Sequence, residues 1–155
     1  LASQVDVEFP TSESLKGRAL YLDSLSNRYL ESVSVSDSVA IDLEWHLVDF
    51  HRLTIMFSLL QSKMWASEEA QNLVVEFLTQ IILDQDYGLY VGFSEGQSVC
   101  ASILCRDGDV MVVSDIVGAT GSIRDEDIAS SLIHATLNLK SDENSNLTKI
   151  WIEKR

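Results

Sequence analysis

Positive charge is scarce in this chain: eleven Lys and Arg stand against 24 Asp and Glu, a formal net charge of −13 over 155 residues. Such a surface repels phosphate backbones and anionic lipid, which argues against nucleic acid and membrane surfaces as partners. Long apolar runs are missing as well. The best candidates, Leu53–Leu60 and Leu73–Leu83, are broken by Ser, Thr, Glu and Gln and fall short of the roughly 18 residues a membrane span needs. Cysteine is limited to Cys100 and Cys105. On one strand their odd offset puts them on opposite faces, roughly 16 Å apart, too far for a disulfide. A reducing compartment, the cytoplasm, is the expectation. Proline occurs once, and six of the seven glycines lie between Gly88 and Gly121. That contrast divides the chain into a helical first half and a strand-rich second half.

What is present is apolar side chain. At 46% hydrophobic residues the chain can bury a core, which excludes disorder as its main state. Its length fits a single domain, residues 1–155. The first residue is Leu rather than Met, as in a fragment or a processed chain, and Leu1–Pro10 is too polar for a signal sequence.

Residues 1–84 read as mainly helical. Val5–Phe9 alternates apolar and acidic residues like a short strand. Thr11 or Ser12 caps a helix to about Glu31, with Leu15, Ala19, Leu22, Leu25 and Tyr29 on its apolar face. Ser32–Ser38 is a Ser-rich linker. A second helix is expected over Val39–Lys63, with the stripe Leu43, Leu47, Phe50, Leu53, Phe57 and Leu60. Ser67 caps a third, Glu68–Leu83, whose first turn carries Glu68 and Glu69. Residues 85–153 then read as β-β-β-α-β: strands Gly88–Phe93, Ser98–Cys105 and Val110–Val117 in an antiparallel meander, a loop Gly118–Ile123, a helix Asp127–Leu139 and a strand Leu147–Glu153. The fold class is α+β, a mainly antiparallel sheet with packed helices.

The stretch Arg124-Asp125-Glu126-Asp127-Ile128-Ala129-Ser130-Ser131-Leu132 resembles the acetyl-CoA signature of the GCN5-related N-acetyltransferase (GNAT) family, with Arg124, Ala129 and Leu132 in matching positions. Tyr90-Val91-Gly92, Glu95–Val99 and Asp115-Ile116-Val117 look like that family's second, third and fourth strands. The resemblance covers residues 85–153. It implies an acyl-CoA N-acyltransferase architecture, acetyl-CoA as co-substrate, and transfer of acetyl to a small-molecule or peptide amine. The backbone of Ile116, Val117 and Gly118 would hold the pantetheine arm. Arg124, Ile128, Ala129 and Ser130, where the helix begins, would hold the pyrophosphate through unpaired N–H groups and the helix dipole. Asp115, at the end of the fourth strand, is the candidate general base.

The chain also departs from the family. Asp127 stands where the signature has its first Gly, and Arg124–Asp127 sums to −2. A carboxylate about 4 Å from a phosphate costs on the order of 1 kcal/mol in water and more at lower dielectric. Asp127 is also a good N-cap, able to take the N–H groups a phosphate would use. A cradle in Gly118–Ser122, with Thr120 and Ser122 hydroxyls, is the alternative. The family's further helix and two strands, with their tyrosine acid, have no counterpart before Arg155.

Other features read as structural. His46 and His51 are five apart on the expected helix and share no metal face, so no metal is expected, and no catalytic role is expected for His134. Trp65 and Phe57 are acceptor-pocket candidates by the resemblance. Three functions compete: an N-acetyltransferase, a non-catalytic GNAT-like binding domain, and a type III secretion chaperone-like acidic protein. The last predicts an obligate dimer.

Overall fold

The computed structural model describes residues 10–33, 41–81, 87–119, 123–139 (side chains to 137) and 149–155. Among the described residues four helices, α1 (Ser12–Ser24), α2 (His51–Ser62), α3 (Glu68–Leu78) and α4 (Asp125–Leu139), pack on six strands: β1 (Tyr29–Val33), β2 (Glu44–Leu47), β3 (Tyr87–Ser94), β4 (Gln97–Asp107), β5 (Val110–Gly118) and β6 (Lys149–Lys154). The sheet order is β1-β6-β5-β4-β3-β2. All neighbours are antiparallel except β5 and β6, which run parallel. This is the α+β class expected from the order of the elements, a mainly antiparallel sheet with packed helices.

Alternation sorts the two faces. Leu89, Val91, Ala101, Ile103 and Val117 meet Tyr21, Phe57, Val74, Phe77 and Leu78 from α1–α3. Cys100, Met111, Val113, Ile150 and Ile152 meet Ile128, Ala129, Leu132 and Ile133 from α4. Glu95 and Gly96 both take positive φ (51° and 75°), the hairpin turn whose twist suits antiparallel strands.

The second half follows its sequence pattern and the first half departs from it. The first helix stops at Ser24 after a Thr11 cap, where the Ser14 N–H donates to Thr11 Oγ1 at 3.1 Å. A short turn at Leu25–Asn27 follows, and Tyr29–Val33 is strand, not helix. The expected apolar stripe is outside: Leu15, Leu22, Leu25 and Tyr29 are exposed, while Ser14, Gly17 and Tyr21 are buried. The expected helix Val39–Lys63 begins only at His51, and Glu44–Leu47 is an edge strand on β3. His46 therefore lies on β2, not on a helix with His51. Of the stripe, Leu53, Phe57 and Leu60 are buried and Leu47 and Phe50 are exposed. Ser67 caps α3 as expected, accepting from the Ala70 N–H. The Val5–Phe9 strand and most of the Ser-rich linker lie outside the described residues.

Candidate active site

Two departures from regular ladder geometry meet at one point. The parallel pairing of β5 with β6 runs from Val110↔Lys149 to Val113↔Ile152 and stops. Beyond it, Val117 and Gly118 stay paired with Ala101 and Cys100 of β4, while Glu153 and Lys154 stay paired with Leu30 and Tyr29 of β1. The two strands therefore part. At the parting, β5 bulges. Ile103 pairs with Ser114 but Ala101 pairs with Val117, so Asp115 and Ile116 both oppose Ser102. Asp115 has φ 49°, a left-handed conformation that side chains disfavour. The extra residue resets the alternation, turning Ile116 toward α4 and Val117 toward the other core.

Side chains from several elements fix that bulge. Asp115 Oδ1 accepts from the Tyr21 hydroxyl at 2.8 Å and from Arg28 Nη1 at 2.7 Å. Its carbonyl accepts from Gln61 Nε2 of α2. Its N–H donates to Glu153 Oε1 at 3.3 Å. Arg28 Nη1 also donates to Glu153 Oε1 at 3.1 Å, and Arg28 Nη2 donates to Ser24 Oγ at 2.7 Å. Arg28, Asp115 and Glu153 side chains are only 4%, 6% and 12% exposed, and Arg155 Nη2, 3.9 Å from Glu153 Oε1, supplies the second positive charge that balances the two carboxylates. Burial, then the Asp115 carboxylate, pushes the Tyr21 phenol far above its ordinary range. Burial, then Asp115, also raises Glu153. Burial, then the neighbouring Arg28, lowers Arg155.

The raised carboxylates set a sign for stability against pH. Glu153 and Asp125 are both raised, each chiefly by burial. A raised acid stabilises the fold below its ordinary range, and that contribution is lost as pH rises through its folded value. The urea midpoint is therefore expected to be higher at about pH 5.5 than at about pH 7.5. Glu126, lowered by its hydrogen bond from Lys154, acts oppositely but only at more acid pH. A midpoint rising between pH 5.5 and 7.5 would contradict this balance.

The start of α4 lies beside the same parting. A Cβ placed on Gly118 would stand 3.4 Å from Ile128 Cδ1, so the end of β5 abuts the first turns of the helix. The Asp127 and Ile128 N–H groups both donate to the Arg124 carbonyl. Arg124 is thus the cap position, and the expected Asp127 cap is incorrect: α4 begins two residues earlier, at Asp125. Asp127 instead accepts from Arg124 Nε and Nη2, both at 2.8 Å. Glu126 pairs with Lys154.

The anticipated site residues fall into two groups. Asp115, Ile116, Val117, Gly118, Arg124, Ile128, Ala129 and Ser130 all sit on the end of β5 or the start of α4. Ile116, Val117, Ile128 and Ala129 are buried, so a ligand would meet their backbone rather than their side chains. Asp115 is buried rather than facing water, and its Oδ1 accepts from both Tyr21 and Arg28. Phe57 is fully buried, which removes it as a pocket-lining residue, and Trp65 is partly buried against the same core. Thr120, Gly121 and Ser122 lie outside the described residues. Sequence reasoning missed Tyr21, Arg28, Gln61 and Glu153. The only hint was an acid closing the apolar strand Ile150-Trp151-Ile152-Glu153. Among the described residues no group of His, Cys, Asp and Glu could hold a metal ion, and no helix is long and apolar enough to cross a membrane. Cys100 and Cys105 form no disulfide, and burial pushes the Cys100 thiol up to about 12, which disfavours its thiolate.

No family model and no curated protein matches the chain. Among solved structures it is similar to a functionally unknown conserved protein from Staphylococcus epidermidis ATCC 12228, at 11% identity over 95% of this chain and 58% of that one, TM-score 0.55. It is also similar to a GCN5-related N-acetyltransferase from Kribbella flavida, at 12% identity over 87% of this chain and 53% of that one, TM-score 0.48. A third likeness is to an acyl-CoA N-acyltransferase from Pseudomonas aeruginosa, at 14% identity over 72% and 76%, TM-score 0.43. The chain spans just over half the length of the first two. At 11% identity the likeness to the Staphylococcus epidermidis protein is one of fold and nothing finer.

Proposed function

We propose that the chain is a domain of acyl-CoA N-acyltransferase type, carrying acetyl from acetyl-CoA to an amine of a small molecule or peptide. The observation that supports this reading is the parting of β5 from β6 beyond Val113 and Ile152, with α4 starting beside it. Strands that separate leave backbone groups free of ladder partners, and an extended pantetheine-like arm can pair with Ile116–Gly118 there. The first turn of α4 offers N–H groups and a positive dipole end to a pyrophosphate. The residues of this chain would hold amine and thioester together and polarise the acyl carbonyl through a β5 N–H. Asp115 serves as a positioning residue that sets the bulge.

Thermal unfolding with added acetyl-CoA tests this. At ligand 100 times its Kd, stability is expected to rise by about 2.7 kcal/mol. Transfer itself is read as release of free CoA thiol in the presence of a polyamine or a lysine peptide. No stabilisation at millimolar acetyl-CoA removes the reading. A second reading, a non-catalytic relative, is favoured by the bidentate Arg124–Asp127 pair and by Glu153 on the Asp115 N–H, which occupy the groups a coenzyme would use. It predicts a folded protein with no response to acetyl-CoA.

A further inference from the structure

The Asp115 N–H reaches from β5 toward β6 at the level where the two strands no longer pair, and Glu153 Oε1 accepts it at 3.3 Å. The same oxygen accepts from Arg28 at 3.1 Å. An acyl oxygen entering the parting needs that N–H, and a carboxylate already on it both blocks and repels the newcomer. We infer that Glu153 sits in the seat of the acyl oxygen, so that coenzyme binding requires its carboxylate to be neutral or displaced. This rests on the acyltransferase reading.

The charges that face Glu153 come from every element around it. Asp115 lies on β5, Arg28 ahead of β1, Tyr21 on α1 and Arg155 after β6, with Asp125 of α4 acting on Arg155. Asp115, Glu153, Arg28 and Arg155 sum to zero. With Glu153 neutral the sum is +1, which attracts a polyphosphate carrier. A neutral Glu153 also gains an O–H that can donate to the acyl oxygen. Burial, then Asp115, raises Glu153 above the ordinary glutamate value, so its neutral form persists to higher pH than that of an exposed glutamate.

The test is calorimetric titration of the full chain with acetyl-CoA at about pH 8 and about pH 6, with CoA as the comparator. The two ligands share their phosphates, but CoA lacks the acyl oxygen. The wild type is expected to bind acetyl-CoA about five- to tenfold tighter at the lower pH, with a smaller change for CoA. Glu153→Gln is expected to bind tightly at both pH values. Equal affinity of wild type and Glu153→Gln at both pH values, with CoA and acetyl-CoA alike, overturns the inference and leaves the acyltransferase reading standing. Absence of binding by either protein at millimolar ligand overturns the reading itself. Circular dichroism checks that Glu153→Gln folds. Should it not, the acetyl-CoA to CoA affinity ratio of the wild type decides, since the inference requires it to rise as pH falls.

Discussion

Arg28→Ala is expected to lower folding stability by about 3–5 kcal/mol, because it strips two buried carboxylates of their shared counter-charge. One guanidinium nitrogen, Nη1, contacts Asp115 at 2.7 Å and Glu153 at 3.1 Å. Its other donors hold Ser24, and its plane lies over the Tyr21 ring at 5.3 Å from the centroid. Without it, two negative groups face each other with little water to screen them, and the strained Asp115 backbone loses a restraint. Urea denaturation followed by circular dichroism measures the loss. Pairing the change with Glu153→Gln should recover part of it, since one of the stranded charges is then gone. A loss below about 1 kcal/mol would show the cluster to be solvated like a surface pair.

This cluster marks where sequence reading stops. The strands Val110–Val117 and Leu147–Glu153, and the helix between them, were legible because alternation and helical period act within a few residues. The end of β5 and the start of α4 are paired as a site only through the resemblance of Asp115–Val117 and Arg124–Leu132 to the family's motifs, and the structure sets Gly118 beside Ile128. Arg28, Asp115 and Glu153 are 87 and 38 residues apart along the chain, and no local pattern joins them. The strand Tyr29–Val33 was invisible for a related cause: it exists through its antiparallel partner β6 at the far end of the chain, while its own residues simply continue a helical stripe. Asp127 shows the reverse failure. Its chemistry suits an N-cap, but Arg124 sits three residues earlier and offers a bidentate partner, so the helix starts at Asp125.

The misread face of α1 leads to the second large effect. A glycine inside a helix ordinarily gains about 0.5–1 kcal/mol on becoming Ala. For Gly17→Ala the sign is expected to reverse, with a net loss of about 2–3 kcal/mol. The added Cβ would stand 1.9 Å from the Leu73 carbonyl oxygen and 3.0 Å from Phe77 Cβ. Backbone of a packed helix cannot yield as a side chain can, so α1 must lift from α3. That explains why Leu15 and Leu22 of α1 point outward: the face that seats on α3 is Ser14, Gly17 and Tyr21, chosen for close approach rather than apolarity. The displacement would reach the site as well. Tyr21 follows Gly17 by one turn on the same face, and its hydroxyl donates to Asp115 at 2.8 Å. Thermal unfolding reads the stability loss, and a Tyr21 phenol returning toward its ordinary titration range would report the broken contact. A gain of several tenths of a kcal/mol, the usual helix propensity result, would mean that α1 does not rest on α3 through Gly17.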